Sequence, residues 1–563
     1  MPKGLWAVGV SSLLAAACSS SAAPGPKPLA PCTATSGGQV NIGVAAYTTV
    51  DPTQTAGCAV FPADPSASAS VAYLVIAQSA SSTPDDSQAF KLGGSALAAP
   101  PLAVPAAASV PSVAQLFDLR LRLAERELVK TAPPRPLRAP PRAPALVTPV
   151  ASGNVRTFQV CNVLTCDARN PSTFSSVTAT ALTVGQHIAL YVDNAAPQPG
   201  LTQAGLDSVR AMFDTLLYPT DTAAFGRESD IDTNGQVIVL MTGKVNSLVT
   251  ASQCNTSGFV AGYFFGADLI TSFSTSNKSE IFYSIVADPA GTLSCPHSVS
   301  QVKQLVPVTF VHEFQHMISF NQHVLLHCTV SGCPVPPEDL WLNEGLSHYA
   351  EENGGRVFLP DTATFCEFVF GDLFNAGQYL ASPQGHFLVD TAGIGGLAER
   401  GAYWLFVRFL VDQFAGGTTQ AAANTFTRSL EATTQVGVPN VVANTGTSFP
   451  TIVERWTLAN YVSDLPSFPT PPELQYVKWQ FRTAFPTFNS KCSSRIPGAF
   501  PLAPPSVTGS SAQLAGMLRA GSGNYYLMQQ APSAPSFALL FSTNTGTALR
   551  TSLIPQLAVL RLQ

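Results

Sequence analysis

Residues 302–320 constrain this chain more than any other segment, because they combine a helical apolar repeat with two histidines one turn apart. The repeat predicts a buried helical face that includes Val311 and Phe314. His312 and His316 are four residues apart, so on a helix both imidazoles lie on one face and can reach one metal ion. Glu313 lies beside the same point. The pattern His-Glu-x-x-His on a helix predicts a zinc site with Glu313 as general base.

A third ligand has to come from elsewhere in the chain. The metzincin arrangement needs glycine at 319 and histidine at 322, but Ser319 and Gln322 stand there, so this arrangement is rejected. Glu344 lies in the stretch 341–351, WLNEGLSHYAE, whose apolar spacing predicts a second helix. His312, His316 and Glu344 are therefore the predicted zinc ligands, and they leave the fourth position for a catalytic water.

HEFQH combined with WLNEGLSHYAE resembles the gluzincins, and within them the hyicolysin-like zinc metallopeptidases. Stretches at 191–194, 218–235, 401–414 and 456–461 are also similar to that family, so the resemblance covers roughly 155–490. It implies a peptidase with a two-part body, a cleft at the zinc, and Glu313 as both general base and general acid.

One position departs from the gluzincin pattern. The residue four places after the third ligand is often acidic in gluzincins and orients a zinc histidine, whereas here it is His348. We expect His348 either to contact a zinc ligand or to be a merely packed or exposed histidine. Gluzincins also use an oxyanion donor from the helical half, for which Tyr403 is the preferred candidate over Tyr379 and His386. Each of these three also has an alternative interpretation as a packing or surface residue.

A second metal is indicated upstream of the zinc motif. Asp230, Asp232 and Asn234, followed by a glycine, match the opening of a calcium loop. The twelfth position of such a loop is Met241, so an EF-hand is excluded, although another acid such as Asp221 can contribute. The alternative is a plain Asn-Gly turn that leads into a strand.

The first residues have the pattern of an export signal. Lys3 precedes an apolar run over 5–17 that is too short to span a bilayer comfortably. Residues 1–18 are predicted to be a signal peptide, either of the lipoprotein type with Cys18 acylated or of the ordinary cleaved type. We expect an exported protein, either secreted or held at the outer membrane or cell surface, with membrane contact only through a lipid on Cys18.

Composition divides the remainder into predicted units: a flexible spacer (19–31), an N-terminal module or propeptide (32–130), a Pro-rich linker (131–149), the metallopeptidase catalytic domain (150–490) and a C-terminal β-domain (495–563). Alternating strand and helix patterns, followed from about 401 by mainly helical patterns, predict an α+β fold. The architecture predicted is a gluzincin-like two-part body, with a β-rich module before it and a small β-sandwich after it. Residues 112–130 predict a helix with Leu116 and Leu123 on its apolar side.

The charge content argues against one class of function, and the cysteine content indicates a cellular compartment. Only 11% of the residues are charged and the net charge is −5, so nucleic-acid binding is not expected. Of the 11 cysteines, those other than Cys18 are even in number, which fits disulfides in an oxidising compartment; neighbour pairing in sequence order is the simplest arrangement.

The predicted function is that of a secreted zinc metalloendopeptidase acting on proteins or peptides. Two alternative functions also fit part of the sequence. The first is a catalytically inactive surface lipoprotein that binds peptide or glycan, against which the intact Glu313 argues. The second is an aminopeptidase, which would need an acidic motif to hold the substrate amine; no GxMEN-like motif is present.

Overall fold

The computed structural model describes residues 27–94, 111–131, 148–329, 332–391 and 396–563. The predicted signal peptide with Cys18, most of the spacer and most of the Pro-rich linker lie outside these residues. Helices and several sheets are both present, which confirms the predicted α+β class. Among the described residues, no helix is both long enough and apolar enough to cross a membrane.

The strands of the described residues are numbered in chain order: β1 Tyr47–Val50, β2 Cys58–Phe61, β3 Val71–Ser79, β4 Ser87–Gly94, β5 Val155–Cys161, β6 Phe174–Val184, β7 Ile188–Asp193, β8 Val237–Met241, β9 Gly262–Phe264, β10 Ile281–Ser284, β11 Ser506–Thr508, β12 Gln513–Arg519, β13 Gly523–Gln530, β14 Phe537–Thr543 and β15 Pro555–Arg561. The helices are α1 Val113–Thr131, α2 Gln203–Met212, α3 Tyr218–Phe225, α4 Gly243–Asn246, α5 Ala251–Ser257, α6 Val299–His323, α7 Leu340–Arg356, α8 Thr362–Ala381, α9 Leu397–Phe414, α10 Gln420–Glu431, α11 Gly437–Thr445, α12 Phe449–Val462 and α13 Phe481–Lys491.

Residues 150–490 are called the body below. A six-stranded sheet forms one half of it, with the strands in the order β5-β6-β7-β8-β10-β9. Strand β8 is buried along its whole length and pairs in parallel with both β7 and β10. An uninterrupted apolar strand is typical of such a position, covered on both faces. The short strand β9 ends the sheet, paired antiparallel with β10. Within the described ranges no strand pairs with its other edge, so backbone groups there are available for other contacts.

Helices α6, α7, α8 and α9 form the core of the other half. Helix α6 is buried on every side over 309–321, which is why its apolar residues do not form a single clean stripe. A Cβ atom added at Gly345 of α7 would lie 2.8 Å from the carbonyl oxygen of Tyr403 on α9. One added at Gly401 of α9 would lie 2.2 Å from the carbonyl oxygen of Asn375 on α8. These two glycines let α7, α8 and α9 pack at backbone distance.

The β-rich segments on either side of the body form one shared β-sandwich, not two separate units. One sheet has the order β1-β15-β3-β13-β11 and the other β12-β4-β14-β2, so each contains strands from 47–94 and from 506–561. Segments 32–130 and 495–563, which the sequence predicts as two modules, thus contribute strands to the same two sheets. The physical reason lies in β3, which is buried along its whole length and needs a partner on each edge; β13 and β15 supply them.

Helix α1 confirms the helix predicted at 112–130 but presents a different face. Leu123 is 49% exposed, whereas Arg122 and Glu125 are only 5% and 1% exposed. The two buried charges pair with each other, with 3.0 Å between Nη1 of Arg122 and Oε2 of Glu125. Buried charges are tolerated when they are paired and hydrogen-bonded. Apolar spacing alone does not detect a face of this kind.

Five disulfides link the ten described cysteines. The pairs are Cys32–Cys58, Cys161–Cys166, Cys254–Cys295, Cys328–Cys333 and Cys366–Cys492. This is neighbour pairing in sequence order, as predicted.

Candidate metal and catalytic site

Helices α6 and α7 bring the three predicted metal ligands together. The Nε2 atoms of His312 and His316 are 3.2 Å apart. Oε1 of Glu344 lies 3.3 Å from Nε2 of His316, and its Oε2 lies 3.9 Å from Nε2 of His312. All three residues are buried and can offer one ligand atom each to a single ion. The ligand prediction from spacing therefore corresponds to one compact cluster.

The chemistry of this cluster fits a zinc ion. Neither carboxylate oxygen of Glu344 has a hydrogen-bond partner among the described residues, although the side chain is fully buried. Burial raises the pKa of Glu344, but the nearby guanidinium of Arg400 outweighs it and lowers this pKa to about 2. Burial also lowers the pKa of His316 well below its usual value, which keeps this imidazole neutral. Two imidazoles and one ionised carboxylate are a typical catalytic zinc set.

Glu313 lies beside the cluster and is held by the edge strand. Its Oε2 accepts a hydrogen bond of 2.7 Å from the backbone N–H of Phe264, in β9. Burial raises the pKa of Glu313 to about 7, against the lowering effect of His312. The side chain also lines the cleft that contains His312. Glu313 is thus positioned where a general base for a water in this cleft is needed.

The carboxylate that orients His312 is Glu351, which the sequence argument did not assign to the site. Its Oε1 lies 2.6 Å from Nδ1 of His312 and 3.2 Å from Nδ1 of His348. His348 also lies 3.1 Å from Oδ1 of Asp372 on α8. Burial lowers the pKa of His348, but Glu351 and Asp372 outweigh burial and raise it to about 10. This raised pKa favours a protonated His348 beside Glu351, whereas burial and Glu351 raise the pKa of Asp372 well above its usual value. His348 reaches the ligand His312 through Glu351.

The helical spacing of α7 contained a signal for Glu351. It stands seven residues after Glu344, two helical turns along the same face. The gluzincin pattern places an acid four residues after the third ligand, where this chain has His348, so Glu351 was not predicted. His316 is oriented separately, by Oδ1 of Asn343 and Oγ of Ser347, each 3.1 Å from its Nδ1.

The cleft beside the cluster has a volume of about 330 Å³ and is lined from both halves of the body and from α1. Arg400 of α9 lies in its wall, with Nη1 3.5 Å from Oε2 of Glu344. The Nη2 atom of the same guanidinium lies 3.3 Å from Oδ2 of Asp118 on α1. Sequence reasoning identified neither Arg400 nor Asp118, because nothing in their local pattern separates them from surface charges.

The three predicted oxyanion donors do not lie in this cleft. The hydroxyl of Tyr403 donates a 2.6 Å hydrogen bond to Asp390, and that of Tyr379 lies 3.1 Å from Oγ of Ser522. His386 pairs with Glu399 through its Nδ1 at 2.7 Å. Each is buried and already partnered, so the alternative interpretation as packing residues fits them. Arg400, one turn before Tyr403 on α9, is the polar group that reaches the cleft.

The predicted calcium loop forms part of a second acid cluster. One carboxylate oxygen each from Asp230, Asp232 and Glu280 lies within 4.8 Å of the others. Glu280 stands immediately before β10 and was not anticipated. Asp221, the additional acid considered from sequence, is fully buried in α3 and does not belong to this group.

No protein-family model matches the chain. The chain is similar to the neutral metalloprotease ShpI of Staphylococcus hyicus, with 29% identity over 151 residues. The matched stretch covers 27% of this chain and 31% of that protein, so the similarity spans less than a third of the relative.

Proposed function

We propose that this chain is an exported zinc metalloendopeptidase that hydrolyses peptide bonds in proteins or peptides. One observation supports this most directly: the buried carboxylate of Glu344 faces two imidazoles, neither of its oxygens is hydrogen-bonded within the described residues, and Glu313 beside it lines a cleft. A structural zinc site would use all four positions for protein ligands, whereas this set leaves one open. The partial similarity to a neutral metalloprotease agrees with this function.

His312, His316 and Glu344 are the residues that would hold zinc. Bound there, zinc supplies a Lewis acid that makes water acidic near neutral pH. Glu313 takes a proton from a water in the cleft and then delivers it to the leaving amine nitrogen. The backbone N–H of Phe264 fixes the carboxylate of Glu313 for this transfer. Glu351 holds the ring of His312 in the orientation that presents its Nε2 to the metal.

Arg400 is the donor that we assign to the substrate carbonyl oxygen. Its guanidinium lines the cleft and lies 3.5 Å from Glu344, so its charge is close to the point where negative charge develops on that oxygen. Donors that are fixed before the reaction stabilise this charge without reorganisation. The role replaces the one predicted for Tyr403.

Export of the protein from the cytoplasm is part of this proposal. Five disulfides favour an oxidising compartment, in agreement with the export pattern of residues 1–18. A lipid on Cys18 is the one membrane contact that we propose.

The test is zinc content together with cleavage of a peptide library by the parent, Glu313→Ala and a control, Glu367→Ala. Glu367 is an exposed glutamate on α8. Glu313→Ala should keep about one zinc per chain and lose about 10²- to 10⁴-fold in turnover, because a general base is removed and no ligand is changed. Glu367→Ala should behave like the parent.

Undiminished cleavage by Glu313→Ala would refute the role of Glu313. A parent that carries zinc and binds library peptides without cleaving any of them would instead support the inactive binding protein.

A further inference from the structure

We propose that the loop 230–235 and Glu280 together form a calcium site, separate from the zinc cluster and independent of the peptidase function. The carboxyl of Glu280 is 1% exposed. Its Oε1 accepts hydrogen bonds from the hydroxyl of Ser229 and, at 3.0 Å, from the backbone N–H of Ile231. Its Oε2 has no hydrogen-bond partner among the described residues. A buried carboxylate oxygen without a donor is stabilised by a bound cation; without one, burial drives the carboxyl toward its neutral form.

The surroundings of Glu280 supply oxygen ligands and no counter-charge at contact distance. Asp230 and Asp232 bring one carboxylate oxygen each to within 4.8 Å of the Glu280 carboxylate. In the described part of the chain, none of these three acids forms an ion pair with a lysine or arginine. Asn234 is buried beside them and donates 2.9 Å from its Nδ2 to Oδ2 of Asp232. Hard oxygen ligands in a flexible arrangement suit Ca²⁺ better than Mg²⁺ or Zn²⁺.

Glu280 takes the place of the acid that the linear motif lacks. The loop begins like a calcium loop, but the position that would close it is Met241, inside strand β8. Glu280 precedes β10, which pairs in parallel with β8 through Ile281 and Ile238. The closing acid therefore comes from the neighbouring strand of the sheet. Burial raises the pKa of Glu280 to about 7, as expected for an acid whose charge has no cation beside it.

The test is calorimetric titration of the full-length, zinc-loaded protein with CaCl₂ and, separately, with MgCl₂. The parent should bind one Ca²⁺, and Mg²⁺ should bind at least tenfold more weakly. Glu280→Gln and Asp232→Asn should each weaken calcium binding at least tenfold, because each removes one negative ligand. Glu127→Gln, at an exposed acid on α1, should leave calcium binding unchanged.

Absence of calcium binding by the parent at millimolar Ca²⁺ would overturn the site. So would parental affinity in the two variants, with circular dichroism confirming that both are folded. Two variants are used so that misfolding of one does not decide the result.

A second inference is carried by helix α1 and depends on the proposed peptidase function. We infer that α1 acts as an intramolecular inhibitor that covers one side of the substrate cleft. Phe117 and Asp118 of α1 line the cleft together with His312 and Glu313. Arg400, the proposed oxyanion donor, is paired with Asp118 at 3.3 Å. A substrate carbonyl therefore has to compete with Asp118 for this guanidinium.

Helix α1 also binds backbone groups of the edge strand β9 and of the turn that follows it. A guanidinium nitrogen of Arg122 donates to the carbonyl oxygen of Phe264, and Glu125 accepts a 2.6 Å hydrogen bond from the backbone N–H of Gly266. An extended peptide that adds to the free edge of a sheet binds through groups of this kind. Side chains of α1 thus line the cleft beside His312, pair with the proposed oxyanion donor and bind backbone groups at the strand edge.

Strands β1 to β4, which precede α1, do not line the cleft. Strands β1 to β4 are built into the β-sandwich, with β3 between β13 and β15. Removal of all residues before 150, as the propeptide hypothesis requires, would dismantle that sandwich. Displacement of α1 alone would open the cleft and leave both sheets intact.

The test compares the full-length parent with Asp118→Ala, Arg122→Ala/Glu125→Ala and the exposed control Glu127→Ala. Two quantities are measured: kcat/KM on a fluorogenic peptide, and the affinity for a peptide hydroxamate probe. Release of α1 should raise kcat/KM and tighten probe binding at least tenfold in the first two variants, with zinc content unchanged. The control should match the parent.

The remaining outcomes distinguish the inhibitor role of α1 from the proposed peptidase function. Unchanged or reduced kcat/KM and probe affinity at full zinc content would show that α1 is a permanent wall of the site and overturn the inference. Tighter probe binding without cleavage by any variant would support the inhibitor and refute the peptidase. Thermal unfolding of each variant confirms that the body is folded.

Discussion

The substitution Glu351→Gln tests how the metal ligand His312 is held. Glu351 makes a 2.6 Å contact with Nδ1 of His312 and is buried. A hydrogen bond to a charged group contributes about 1.5–3 kcal/mol and one between neutral groups about 1 kcal/mol. The loss of about 0.5–2 kcal/mol corresponds to zinc binding that is roughly 2- to 30-fold weaker.

The assay is zinc competition against a chromogenic chelator at fixed pH. At saturating zinc, kcat should change much less than the zinc affinity, because Glu351 acts on the metal through His312. Glu352→Gln is the matched control, since Glu352 is the neighbouring buried acid but contacts Arg356 and Arg408 instead. The control should lower the thermal midpoint and leave zinc affinity unchanged. If Glu351→Gln holds zinc like the parent, or if both variants weaken zinc equally, Glu351 does not orient the ligand.

Three further predictions concern the ligand set, the disulfides and the helix packing. Glu344→Gln should weaken zinc binding by more than about 100-fold, beyond the 10- to 100-fold typical of residues that act through a ligand, in the same competition assay; parental affinity would remove Glu344 from the ligand set. Reduction of the purified protein should lower its thermal midpoint in scanning calorimetry, because five closed loops restrain the unfolded chain; an unchanged midpoint after verified reduction would contradict this. Gly345→Ala should destabilise the fold by about 1–3 kcal/mol in denaturant unfolding, because its Cβ would lie 2.8 Å from the carbonyl oxygen of Tyr403; a neutral result would mean that α7 and α9 can separate without cost.

Sequence was sufficient where the controlling interactions are local. The spacing of His312 and His316 on α6, and the helix that carries Glu344, follow from helical periodicity. Strand β8 was recognisable because an apolar run of that length suits a strand covered on both faces. Neighbour pairing of the cysteines also follows chain order. For the helices and for β8, a short stretch of sequence contains the cause.

Sequence was insufficient where polar groups meet across distant elements. Asp118 and Arg400 come from helices far apart in the chain, and each resembles an ordinary surface charge until it is paired. Tyr403 was predicted as a cleft residue, and Arg400, one turn before it, was not predicted at all. The rotation of α9 about its axis cannot be fixed from periodicity because the helix is buried almost all round. Glu280 joined the acid loop only through strand pairing.

The shared β-sandwich determines the order in which this protein can fold. Gln78 in β3 pairs with Gln556 in β15 across 478 positions of chain, and neither neighbour of β3 is available until residues beyond 523 have been synthesised. The body over 150–490 contains its own sheet and helices, so it can form while β3 still lacks partners. A buried apolar strand that waits for such distant partners slows folding and exposes an aggregation-prone edge. Truncation within β15 should therefore first reduce the protection of the backbone amides of residues 71–79 from hydrogen exchange, although these residues lie far from β15 in the sequence.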